Sequence, residues 1–131
     1  MIITCIGPEN TDMSENQKKK CLLLLKELLK NDNGDCDVRL AFPTKYGKSF
    51  MDAVKAVKPT GDIKGFMLFA ESPDIQDIQG GVKHSAAYYK KKRNENLIKM
   101  CQTVVFFGTG DNLVKENVKF AENKNKTIYY I

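Results

Sequence analysis

Five short apolar stretches alternate with four helix-like ones along this chain, and that alternation limits the fold more than any other feature. Met1 to Ile6 is an apolar, β-branched run ended by Gly7-Pro8, which cannot continue a strand. Cys36, Val38, Leu40 and Phe42 alternate with Asp37, Arg39 and Ala41, the period-two pattern of a strand with one wetter face near a sheet edge. Phe66 to Ala70 is a continuous apolar run between Gly65 and Pro73, which suits an interior parallel strand. Thr103 to Phe107 is the most β-like stretch, and Thr127 to Ile131 ends the series.

Between these runs the spacing turns helical. Ser14-Glu15-Asn16-Gln17 has the form of a capping box, and Cys21, Leu22, Leu25, Leu28 and Leu29 follow at helical spacing, so a helix spans 14–30 until Asn31-Asp32-Asn33-Gly34 stops it. Phe50, Met51, Val54 and Val57 share one face of a helix over 47–57. Residues 88–100 form the third helix with Leu97 and Met100 facing in, and residues 111–123 the fourth. Residues 71–86 lose periodicity and read as a long surface loop. Alternating strands and helices predict an α/β fold: one domain over 1–131, with a mainly parallel five-stranded sheet between helices, because right-handed crossovers place them on its faces. Two strand orders satisfy the pattern, 3-2-1-4-5 and 2-1-3-4-5.

With 131 residues, 42% hydrophobic and 28% charged, the chain is neither disordered, collagen-like nor a coiled coil. No apolar run approaches the ~20 residues that span a bilayer, and Met1-Ile2-Ile3 lacks the basic start of a signal peptide. No membrane partner and a cytoplasmic location are therefore expected. Cys5, Cys21, Cys36 and Cys101 lie far apart in apolar or alternating segments with only His84 to join them; they read as reduced core residues, with no metal site and no cofactor called for. A net charge of +5, concentrated in Lys18-Lys19-Lys20 and Lys90-Lys91-Lys92-Arg93, points to an anionic partner.

Parallel sheets bind ligands beyond the carboxyl ends of their strands, which directs attention to the turns after each strand. The turn Gly7 to Asn10 follows the first, with Gly7 and Pro8 at its start. Tyr46-Gly47-Lys48-Ser49 sets a glycine, a cation and a hydroxyl at a helix start; without the first glycine of a P-loop, a phosphate cradle and plain helix capping stay open. Gly108-Thr109-Gly110-Asp111 leads from the strongest strand into a helix, where bare backbone and the helix dipole favour a phosphate, and where Asp111 equally serves as an N-cap. Arg93 can fork onto a phosphate or carboxylate beside Asn94, or the two can belong to a solvated helix face. Tyr88-Tyr89 can stack on a base or anchor the helix.

The order Arg93-Asn94, apolar residues, strand, Gly and Thr opening a helix, Ala121, final strand resembles the carboxyl half of the SLOG superfamily of Rossmann-like proteins. That group includes the "lonely guy" phosphoribohydrolases, the DNA-processing protein A fold and small nucleotide-sensor domains. The resemblance covers the whole chain in topology, and implies a three-layer Rossmann-like fold and a nucleotide or nucleotide-derived ligand. In the phosphoribohydrolase branch an Arg and a strand precede P-G-G-x-G-T-x-x-E. In register from Arg93, Glu116 falls at the catalytic glutamate and Gly110 at a motif glycine, while Asn112 and Leu113 stand at the last glycine and threonine.

The resemblance therefore implies a binding module holding its ligand with Gly7, Pro8, Gly47, Lys48, Ser49, Arg93, Asn94, Gly108, Thr109, Gly110 and Asp111. The alternative is an N-glycosidase or phosphoribohydrolase in which Glu116 assists loss of the base. A nucleic-acid surface ranks last, because no aromatics interleave with the lysine runs. Four consecutive leucines, Leu22 to Leu25, spread around more than one helical turn, so at least one is expected to face a partner in a homodimer.

Overall fold

Two strands, β1 (Ile2–Ile6) and β4 (Thr103–Phe106), run side by side and parallel, with Ile3 opposite Thr103 and Ile6 opposite Phe106. The structure is a computed structural model that describes residues 1–30, 36–42, 44–57, 63–67 and 85–131. From β1 the sheet extends through β2 (Asp37–Phe42) to β3 (Ile63–Met67), and from β4 to β5 (Thr127–Tyr130), giving the parallel order β3-β2-β1-β4-β5. This is the first of the two orders the alternation allows.

Period-two alternation sends successive side chains of β1 and β4 to opposite faces. Ile3, Cys5, Val105 and Phe107 pack with Cys21, Leu25 and Leu29 of α1 (Glu15–Leu29) and with Tyr46, Phe50 and Val54 of α2 (Lys45–Val57). Ile6, Val104 and Phe106 pack with Ile98 of α3 (Ala86–Met100) and with Val114 and Ala121 of α4 (Asn112–Asn123). The sheet is thus covered on both faces, a layout compatible with a Rossmann-like fold. All four cysteines are buried thiols.

Three expectations need correction. The third strand begins at Ile63, opposite Val38, rather than at Phe66, because its pairing with β2 sets its start. It also lies at the sheet edge while β2 lies inside, the reverse of the expectation; apolarity reports cover on a strand's faces and says nothing about neighbours beside it. Met100 is 39% exposed, since the inner stripe of α3 is formed by Arg93, Asn94, Leu97 and Ile98, all buried, and Met100 lies past it. Residues 68–84, with most of the expected 71–86 loop and His84, lie outside the described residues; Ser85 is the N-cap of α3.

Of the consecutive leucines, Leu25 is buried, Leu22 and Leu24 are half-buried and Leu23 is 65% exposed. Among the described residues no helix is long and apolar enough to cross a membrane.

Candidate functional site

Chain progress through the sheet reverses between β1 and β4, and the carboxyl ends of these two strands form the switch point at which helices diverge to opposite faces. The turns that follow them interlock. A side chain at Gly7 would run into the Phe107 ring, and Gly108, at φ +64°, lies against the Pro8 ring. Glycine is required at both places, first by close approach and then by the left-handed backbone. Gly7, Pro8 and Gly108 therefore build the scaffold of the site.

Beneath these turns sits a buried polar group. Arg93 and Asn94 occupy the inward stripe of α3, at 7% and 0% exposure, so the solvated-face alternative for them is set aside. Arg93 donates through Nε and Nη2 to Asn94 Oδ1 at 3.2 and 3.1 Å, and Nη2 also donates to Glu9 Oε1, forming an ion pair across 84 positions of sequence. The arginine side chain is 4% exposed and that of Glu9 16%, so the pair is closed at its cation and open at its carboxylate. Asn94 Nδ2 has no partner among the described residues. Tyr46 reaches the same place from α2, its ring edge-on to Phe107 with centroids 5.5 Å apart. Burial pushes the Tyr46 hydroxyl's pKa well up, Glu9 adds to this, and Arg93 and the Gly7 N–H oppose it.

Above this floor opens a cleft of about 560 Å³. Glu9 contributes to it from the β1 turn, Ser85, Ala87, Tyr88, Lys90 and Lys91 from the start of α3, and Asp111, Asn112, Leu113 and Glu116 from α4. Glu116 is half-exposed and pairs with Lys91 Nζ at 3.5 Å. Asp111 is the N-cap of α4, accepting from Val114 N–H at 3.1 Å, so its carboxylate already answers one of the helix's orphan donors. Nothing lies within 4 Å of where a Gly110 side chain would begin, and Thr109 beside it is exposed; both belong to the open turn. Lys92 Nζ stands 5.7 Å from the Tyr88 ring centroid.

Gly47, Lys48 and Ser49 are not brought to this cleft. Thr44 Oγ1 accepts from Gly47 N–H at 3.0 Å and donates to the Ala41 carbonyl at 2.8 Å, so the glycine amide is engaged in capping α2. A side chain at position 47 would run into that same Thr44 oxygen. Lys48 is exposed. Ser49 donates to Asp12 Oδ1 at 2.7 Å and lines a separate hollow of about 270 Å³ with Lys18, Cys21 and Leu22 of α1. Burial pushes the Asp12 pKa up, but bonds from Ser49, the Met13 N–H and Lys18 outweigh it and hold the carboxyl below its usual range.

Of the residues expected at the site, Asp111 and Glu116 line the cleft, and Arg93 and Asn94 connect to it through Glu9, which lay in the expected Gly7 to Asn10 turn but was not singled out. Glu9 sits in a polar turn between Pro8 and Asn10, and no spacing or motif ties it to an arginine on the far side of the chain. No protein family matches the chain, and no curated protein does.

Proposed function

We propose that the cleft binds a nucleotide or a nucleotide-derived small molecule. The observation that carries this reading is the buried Arg93, braced on Asn94 in the inner stripe of α3 and paired with Glu9, which lines the cleft. Burying a charged group costs stability unless it is paired and hydrogen-bonded, and proteins tolerate such departures from an apolar core chiefly at functional sites. Cations at Lys90 and Lys91 suit a phosphate on the α3 wall, the open backbone at Gly110 lets a ligand approach α4, and the Tyr88 ring offers a base a flat surface. The resemblance to SLOG proteins adds the same ligand class. Native mass spectrometry of freshly purified protein, followed by titration with adenosine, guanosine, inosine and cytidine monophosphates, tests it. A retained nucleotide or saturable binding of at least one of the four is expected; binding of none removes the reading.

A second reading, an N-glycosidase or phosphoribohydrolase, draws on Glu116 lining the cleft. Catalysis of that kind needs backbone held close to sugar and phosphate. Here the side chains of Asn112 and Leu113 stand at the cleft wall instead, and the Asp111 carboxylate adds negative charge. No release of free base from the four monophosphates is therefore expected by chromatography. Release that disappears in Glu116→Gln would replace the binding module with the hydrolase.

The exposed Leu23 supports a homodimer through α1, which light scattering at tens of micromolar checks; the monomer's 14.8 kDa there refutes it. Four buried thiols support a cytoplasmic setting, since a reducing compartment preserves them.

A further inference from the structure

Glu9 is held unlike any other acid of the cleft. Asp111 caps a helix and Glu116 meets a lysine in solvent, but Glu9 Oε1 is pinned by a guanidinium that is itself buried and braced on Asn94. Its other oxygen, Oε2, receives no hydrogen bond from any described residue, although the side chain lines the cleft. The guanidinium meets Glu9 through one N–H on Oε1 and gives its Nε and Nη2 pair to Asn94 Oδ1, so one carboxylate oxygen is anchored by charge and Oε2 is left to accept from a ligand. A carboxylate accepts and does not donate, and it repels phosphate. The partner it fits is a hydroxyl or amino donor some distance from the ligand's phosphate.

We infer that the ligand is a ribonucleotide, its vicinal sugar hydroxyls donating to the Glu9 carboxylate that Arg93 pins at the floor of the cleft. This rests on the nucleotide-binding reading above. A vicinal diol offers two donors on one edge, matching an acceptor group with lone pairs to spare, and every ribonucleotide carries it, whereas the donors of the base change from an amino group in adenine and cytosine to an amino group beside a ring N–H in guanine and a ring N–H alone in hypoxanthine. A site built around a hydroxyl also discriminates steeply, because the analogue without it leaves a desolvated acceptor unpaired. The cleft therefore selects ribose over 2′-deoxyribose.

The test compares the four ribonucleoside 5′-monophosphates with their 2′-deoxy counterparts by calorimetric titration of the intact protein. For every base that binds, the ribonucleotide is expected to bind about tenfold more tightly or better, the scale of losing one hydrogen bond to a charged acceptor. Equal affinity of the two sugars overturns the inference while leaving nucleotide binding standing. So does a preference for adenosine over inosine monophosphate with no effect of the sugar, which assigns Glu9 to a base amino group. Binding of none of the eight overturns both readings. Glu9→Gln keeps one oxygen for Arg93 and replaces the other with an amide donor. With the fold verified by circular dichroism, this variant is expected to lose most of the sugar discrimination; undiminished discrimination overturns the assignment.

Discussion

Arg93 sits where α3 would otherwise present an apolar side chain, and its two partners depend on it. Truncation in Arg93→Ala leaves Asn94, fully buried, with neither end of its amide bonded, and strands the Glu9 carboxylate beside an apolar gap. Breaking a fully enclosed pair costs about 3–5 kcal/mol. Water reaches Glu9 from the cleft, so the loss here is on the order of 2–3 kcal/mol, read as a lower denaturant midpoint at unchanged slope. Arg93→Lys recovers only part of it, because one ammonium lacks the planar fork that serves Glu9 and Asn94 together. On the nucleotide-binding reading proposed above, affinity is expected to fall in both variants as Glu9 loses its anchored oxygen. Arg93 was legible in the sequence through its place before the strongest strand; Glu9 was not, because an ion pair formed between a turn and a distant helix has no local signature.

Helix ends were legible for the opposite reason. The capping box read from Ser14 and Gln17 is present in full, with Gln17 N–H donating to Ser14 Oγ at 3.1 Å and Ser14 N–H to Gln17 Oε1 at 2.8 Å. Its four residues carry all its chemistry. Gly47 was ambiguous between cradle and cap because either use needs a bare backbone at a helix start, and only the position of Thr44 separates them. The consequence is a substitution whose sign departs from helix propensity. Alanine is better than glycine in a helix by roughly 1 kcal/mol. In Gly47→Ala, however, the new methyl displaces Thr44 Oγ1 and stands 3.0 Å from the Ala41 carbonyl, breaking the cap as it forms. A lost cap costs about 1 kcal/mol, and forcing apart the Thr44 side chain and the Ala41 carbonyl costs about as much or more. Thermal unfolding of Gly47→Ala is expected at lower temperature than that of the parent protein. An unchanged or raised midpoint would show that Thr44 moves aside without loss.

At the scale of the whole molecule the strand and helix alternation was enough to give a parallel sheet covered on both faces, while the strand order stayed between two possibilities. Both have right-handed crossovers, and they differ in which side of β1 the chain takes after β2, a choice made by long-range packing that no local pattern records. The order found puts β1 and β4 in the interior, each with a strand on either side, and every residue of β4 is buried. β5 lies at the edge with Thr127 and Tyr130 exposed. Amide hydrogen exchange should reproduce this gradient. Amides of β1 and β4 that pair across the sheet open only with the whole structure and form the slowest class. Along β5, Thr127 N–H bonds the Gln102 carbonyl and Ile131 N–H the Phe106 carbonyl, so alternation turns the Ile128 and Tyr130 amides away from β4. Those two amides are expected to exchange orders of magnitude faster than the amides of β4. If they are instead protected to the same degree, the free edge of β5 is covered in solution, which favours β5 over Leu23 of α1 as the face of the proposed homodimer.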